Sequence, residues 1–487
     1  MKLLEKLKVL VALLISLFIL NNEIINAQTT ETWEKVYSST GYDVGNKVLE
    51  TPDGGYVSVG YSNDNNKNDL LLIKTNENGE PEWINLVHVQ NKDQKANDAI
   101  LTVNGTILII GSTKNCNNGA KANILLQEYD LSGSVIWSKT ILSSNTQEGL
   151  AIVKNPNGGY FISGSEMLDG WQDDFGFVKS IDANGNQLWS RSTSGQSTDL
   201  VFDGNNIVAI GNATTMFGDR DTYVKAWNQN GDAIWNKVMS NNSENRNNSI
   251  VAVSDGYLIT GYVSNNFGVN NKDLSVVKLN LNGTQAWSKT YGGIYNEIGY
   301  AISETQDGNF VIAGSSEDDL NASNNEKYIL KISNTGNVIW EQMFDQATTA
   351  IKKDRVFDII EKSNGAGFLL TGKTVDFTRS SSEDLFLTKL SSSGDLMDEI
   401  AFEDLVRMAS SAGKTETSIV ETTNVDIAND RNLSIQLYDM TGKMIVQERN
   451  SAEALRNLQN KLVTGMYVYK IIGNQNEVLK CGKLNIN

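Results

Sequence analysis

The side chains that usually carry out chemistry are sparse in this chain. One histidine, His88, and two cysteines, Cys116 and Cys481, are spread over 487 residues. Zinc centres need clustered Cys and His ligands, and nucleophile–base sets need a Ser or Cys beside a His. The sequence groups none of these, which argues against a zinc site. Any imidazole base would have to be His88, which lies in WINLVHVQ (83–90), an alternating strand pattern that predicts a packed or edge-exposed ring. The arginines of the repeat region are Arg191, Arg220, Arg246, Arg355 and Arg379, and no three fall together. A glycosidase carboxylate pair is set by the fold, so spacing along the chain does not reveal one. Acidic runs such as SSEDDLN (315–321) offer oxygens for calcium but lack the fixed spacing of a calcium loop. No catalytic residue and no metal site is assigned, and calcium is the one cofactor left open.

Aromatic residues in polar loops are the best binding signal. Trp171, Phe217, Phe267 and Phe377 stand at similar offsets inside SEMLDGWQD, NATTMFGDR, YVSNNFGVNNK and KTVDFTRSSSE. Large rings in otherwise polar connections act as ligand anchors, or they pin the loops to the scaffold. The net charge of −17 repels phosphate backbones, so nucleic acid is not an expected partner.

These loops belong to a repeat. Trp33, Trp83, Trp137, Trp189, Trp235, Trp287 and Trp340 are spaced by 50, 54, 52, 46, 52 and 53 residues. All but Trp33 follow a glycine at −4 (Gly79, Gly133, Gly185, Gly231, Gly283 and Gly336). Each period also holds a second turn, such as PDGGY (52–56) or PNGGY (156–160), and a strand ending in Gly. Turn signals between short alternating runs give four strands per period. One such sheet has two apolar faces and cannot bury both alone, whereas a radial stack of seven can. The expected fold is therefore all-β, a seven-bladed β-propeller over 28–402. The seventh repeat lacks its Trp, because Asp398 stands there, while the N-terminal TWEKVYS (32–38) has a Trp and no blade. We expect Trp33 to complete the blade formed by 356–390, so that deleting 30–40 unfolds the ring. The Trp set is read as structural, each indole packing between blades. The turn-plus-Trp unit resembles the tryptophan-docking turn of quinoprotein-type propellers. The resemblance covers that unit alone and implies no quinone pocket.

The two ends of the chain differ from the repeat. Lys2, Lys6 and Lys8, the apolar run 9–20 and Ala27 read as a signal peptide over 1–27, since twelve apolar residues are too few to span a bilayer. The mature chain is thus expected to lack a transmembrane segment. Residues 403–423 read as a linker. From 424 to 487 alternating strands return, suggesting a small Ig-like β-sandwich. The blocks LYDMTGKMI (437–445), LVTGMYVYKI (462–471) and the lysine-bearing last strand resemble the C-terminal sorting domain of the type IX secretion system of Bacteroidota. The residues carrying that likeness are Gly442, Lys443, Gly465, Tyr467, Lys480 and Lys483. The family often opens with Pro-Asn-Pro, which is missing here. The resemblance implies periplasmic transit, the type IX machinery as partner, and release or attachment at the outer-membrane surface.

Three functions fit these marks. The first is a secreted or cell-surface non-enzymatic propeller that binds a glycan or protein through its loop face. The second is an extracellular carbohydrate-active hydrolase or lyase, which would need carboxylates converging at the channel mouth. The third is a structural surface or adhesion element.

Overall fold

The computed structural model describes residues 32–39, 41–64, 67–116, 121–168, 174–214, 220–239, 244–264, 272–293, 295–317, 325–344, 353–375, 383–396 and the strands within 398–486. Seven four-stranded antiparallel sheets follow one another along the chain. Blades 1 to 6 are local up-and-down sheets over 42–87, 92–141, 146–193, 196–239, 244–291 and 296–344. Blade 7 takes three strands from 355–390 and its outermost strand, Trp33–Tyr37, from the other end of the sequence. Trp33 pairs with Lys389 and Tyr37 with Leu385 in that register. The first strand of each blade is innermost and packs against the first strand of the next. The innermost strand of blade 7 packs against that of blade 1, closing the ring.

The core is not inside the blades but between them. Seven apolar clusters fill the seven junctions. At the closing junction Trp33, Leu385 and Leu387 of blade 7 meet Val48, Tyr56 and Ile73 of blade 1. Each fully buried side chain of this size contributes roughly 1.5–3 kcal/mol. Removing one blade partner therefore exposes a whole cluster.

Every innermost strand carries a β-bulge at the same place. The extra residue twists the strand and turns its neighbours towards the adjacent blade. Asn46, Asn97 and Asn248 sit at the bulge and donate side-chain N–H to Ala96, Gly149 and Gly299 carbonyls of the next blade, each at 2.7 Å.

The C-terminal described strands form one five-stranded sheet. Its order is Asp398–Ala401, Val478–Ile486, Gly465–Ile472, Ser434–Tyr438 and Met444–Arg449. The first pair is parallel and the others are antiparallel. Asp398, at the position where the repeat would place a Trp, thus pairs with Gly482 in this sheet. No helix among the described residues is long and apolar enough to cross a membrane.

Candidate functional site

The turn that precedes each Trp strand is built by local polar groups. In blade 3, Asp182 accepts N–H bonds from Asn184 and Asn186 at 2.9 and 2.7 Å, and Gly185 donates to the Asp182 carbonyl at 2.9 Å. The glycine needs φ of +71°, which other residues resist. The same turn recurs in all seven blades, with glycine φ between 71° and 82°.

The indole does not rest on its own turn. Trp83 lies on Gly133 of blade 2, Trp137 on Gly185, Trp189 on Gly231, Trp235 on Gly283, Trp287 on Gly336 and Trp340 on Gly394. Trp33 lies on Gly79 and completes the circle. The glycine is therefore required twice, for its φ and for the ring stacked above it. Four indole N–H groups donate to a carbonyl two residues before the partner glycine. They are Trp33 to Glu77, Trp83 to Leu131, Trp189 to Gln229 and Trp235 to Leu281, at 2.9 to 3.2 Å. Trp137 bonds the Glu128 carboxylate of its own blade instead.

A cavity of about 650 Å³ opens at the end of the central channel on the side of these turns. Leu49, Ile100, Val153, Val201, Phe202 and Ile360 form its apolar wall, and Lys47 lies at its inner edge. Three carboxylates stand one residue after the bulge in blades 2, 4 and 7. Asp98 accepts the N–H of Ile152, Asp199 that of Ile250 and Asp358 that of Val48, each at 2.9 Å. Each Asp thus staples its blade to the next. Lys47 reaches Asp358 at 3.2 Å and Asp98 at 3.9 Å. Burial works against the Lys47 charge, but Asp358, Asp98 and Asp199 outweigh it and raise the amine above its ordinary value. Burial pushes the Asp98 carboxyl up to about 7, against the pull of Lys47, and raises Asp199 as well. The sequence carries a signal for this set in NDAI (97–100), TDLV (198–201) and FDII (357–360), which align within the repeat.

The third strands hold buried lysines. Lys74, Lys278 and Lys331 bind Asp53, Asp255 and Asp307 of the hairpin turns, at 2.5 to 3.0 Å. Lys327, Asp354 and Glu34 form a further group where the ring closes.

The four loop aromatics, Trp171, Phe217, Phe267 and Phe377, lie outside the described residues. The strand ends that carry them are described: Met167 and Asp174, Thr214 and Arg220, Ser264 and Lys272, Thr374 and Asp384. By strand direction all four connections leave the end of the ring opposite the Trp turns. His88 is exposed at the same end, with Nδ1 2.9 Å from Asp69 Oδ2. Cys116 is exposed and free. Arg191 donates to the Gly231 carbonyl at 2.7 Å and stacks on Trp189, so it serves a blade junction. No group of three or more metal-binding side chains occurs among the described residues. Gly442 and Lys443 lie outside the described residues. Tyr467, on Gly465–Ile472, pairs with Leu484, and Val468 and Ile471 pair with Lys483 and Lys480, so two of the sorting blocks are neighbours in one sheet.

Residues 174–372 match the PQQ_2 family model, described as outer membrane protein assembly factor BamB. Residues 421–485 match the secretion system C-terminal sorting domain. No curated protein matches the chain. Among solved structures, BamB from Moraxella catarrhalis is 10% identical, covering 74% of this chain and 100% of its own, with a TM-score of 0.39. The β-propeller domain of the Trilobed protease from Pyrococcus furiosus is 11% identical, covering 74% and 98%, with a TM-score of 0.42. Sqt1 from Chaetomium thermophilum is 10% identical, covering 73% and 97%, with a TM-score of 0.43.

Proposed function

We propose that this chain, which joins propeller repeats of the PQQ_2 family to a type IX sorting domain, is a non-enzymatic recognition module working outside the cell. The sorting domain implies secretion of the propeller. In this reading residues 1–27 are a cleaved leader, 28–402 the propeller and 403–423 a linker. Residues 424–487 are an Ig-like module read by the export machinery. The propeller then acts in the medium or attached to the outer-membrane surface, and its ligand is a glycan or a protein.

One observation carries the binding face. The strands flanking Trp171, Phe217, Phe267 and Phe377 all end on the same rim of the ring. In this reading the four rings, carried on connections of one rim, stack on sugar faces or on apolar side chains. The test is a glycan array probed with the purified propeller beside a Trp171→Ala/Phe217→Ala/Phe267→Ala/Phe377→Ala variant. Binding that the variant loses supports this face. Undiminished binding by the variant overturns it, and silence on every glycan drops the sugar half of the reading.

A further inference from the structure

Lys327 lies in the third strand of blade 6, Asn325–Ile332. Asp354 immediately precedes the innermost strand of blade 7. Its backbone N–H donates to the Asn325 carbonyl at 2.9 Å, and Lys353 bridges to Asn325. This ties Asp354 beside the lysine two residues along the strand. Lys327 Nζ is 3.0 Å from Asp354 Oδ2 and 3.1 Å from Glu34 Oε1. The side chains of Lys327 and Asp354 are 3% and 1% exposed. The Phe386 ring lies 4.7 Å from Nζ. Thr388 donates to the other Glu34 oxygen at 2.8 Å and fixes that carboxylate.

The three hairpin-turn lysine–aspartate pairs differ in one respect. Asp53, Asp255 and Asp307 are 43%, 76% and 50% exposed, so water stabilises their ionised form. Asp354 has no such access, and burial raises its carboxyl above the ordinary range. A buried ion pair is held at a high desolvation cost. Burial therefore narrows the gap between the ion pair and the neutral pair of amine and carboxylic acid. An amine held near 3 Å from an acid group is close to an attacking geometry.

We propose that Lys327 and Asp354 join in a self-formed isopeptide bond, with Glu34 as the catalytic proton carrier. The neutral Nζ lone pair attacks Cγ of protonated Asp354 and forms the C–N bond. Glu34 accepts a proton from the nitrogen and returns it to the departing hydroxyl, which leaves as water when the C–O bond breaks. One amide and one water form from one amine and one acid, and no oxidant or co-reactant is needed. The buried amine and acid are replaced by one neutral amide. Glu34 belongs to the strand Trp33–Tyr37, so the third member arrives only when the ring closes. The bond then covalently couples blade 6 to blade 7 beside the closing strand.

The test is mass spectrometry of the purified protein after proteolysis. The expected result is a branched peptide containing both Lys327 and Asp354, lighter by one water than its two linear parts. Glu34→Gln should leave the peptides unlinked while the ring still folds, and Lys327→Arg should do the same. Recovery of the two peptides separately and unmodified from the natural sequence overturns the proposal, whatever the variants do.

Discussion

Trp33 stacks on Gly79, the turn glycine of the adjoining blade, so closely that a Cβ on Gly79 would lie 2.8 Å from the indole. Forty-six positions separate them along the chain, and the closing of the ring brings them together. The same contact is repeated by the six other Trp–Gly pairs, which makes each blade the lid of its neighbour's turn.

Glycine replacements separate the two demands on that turn. Gly283 has φ +80° and a Cβ there would meet Trp235 at 2.6 Å, whereas Gly308 has φ +73° with open space around it. Gly308→Ala should cost about 1–2 kcal/mol from backbone strain alone. Gly283→Ala should cost clearly more, because the indole must move as well. Equal losses in chemical denaturation would show that the stacking adds nothing.

Removing an indole should weaken the whole ring. Trp235, partly buried, packs against the cluster between blades 4 and 5, and Trp235→Ala should cost about 2–3 kcal/mol, less than a fully buried Trp. Since every cluster spans two blades, the variant should still melt in one transition at lower temperature. Two separated transitions in calorimetry would contradict a cooperative ring.

Acid should loosen the hairpin staples. Partial burial opposes ionisation of Asp307, but hydrogen bonds from Lys331 and Thr305 outweigh it and hold the carboxyl well below its usual range. A lowered folded pKa gives stability that is present above the unfolded value and is lost as pH falls through the folded one. Asp307 is half exposed, so solvent screening keeps its share under about 1 kcal/mol. Asp307→Asn should lower the melting temperature slightly at pH 6 and leave it equal to the parent's at the most acidic pH that still permits folding. A constant difference across that range would contradict the linkage.

The channel acids act with the opposite sign. Burial raises Asp98 to about 7 in the folded state. Between the unfolded value near 4 and that pH the folded form holds the extra proton, so this group's contribution falls as pH rises. Asp98→Asn should flatten that slope, a difference on the order of 1 kcal/mol between pH 5 and pH 8. An unchanged slope in urea melts at the two pH values would rule out Asp98 as its source.

The sequence makes the ring legible because Trp and Gly recur at nearly fixed intervals and because a spare Trp33 faces a repeat that lacks one. It does not show which glycine each indole meets. The −4 spacing places each indole after its own turn glycine, whereas the glycine it covers belongs to the next blade. The third strands of blades 1 and 3 share the spacing D-x-x-x-x-K, at Asp69–Lys74 and Asp174–Lys179, which conceals a register slip. Lys74 pairs with Val57, the residue after Tyr56, but in blade 3 the residue after Tyr160 is Phe161, and it pairs with Ser180. Lys179 therefore falls on the other face of its strand and binds Gln187 at 3.1 Å in place of a turn carboxylate. Lys47, Asp98, Asp199 and Asp358 escape a linear reading for a related reason. They converge only through the ring, across as many as 311 positions.

The ring depends on closure by the strand Trp33–Tyr37, and deleting residues 30–40 tests that closure most directly. Thermal denaturation of the shortened propeller should show an unfolded or strongly destabilised ring, restored when a peptide of residues 30–40 is added. A shortened protein that melts at the same temperature as the parent would contradict closure by this strand.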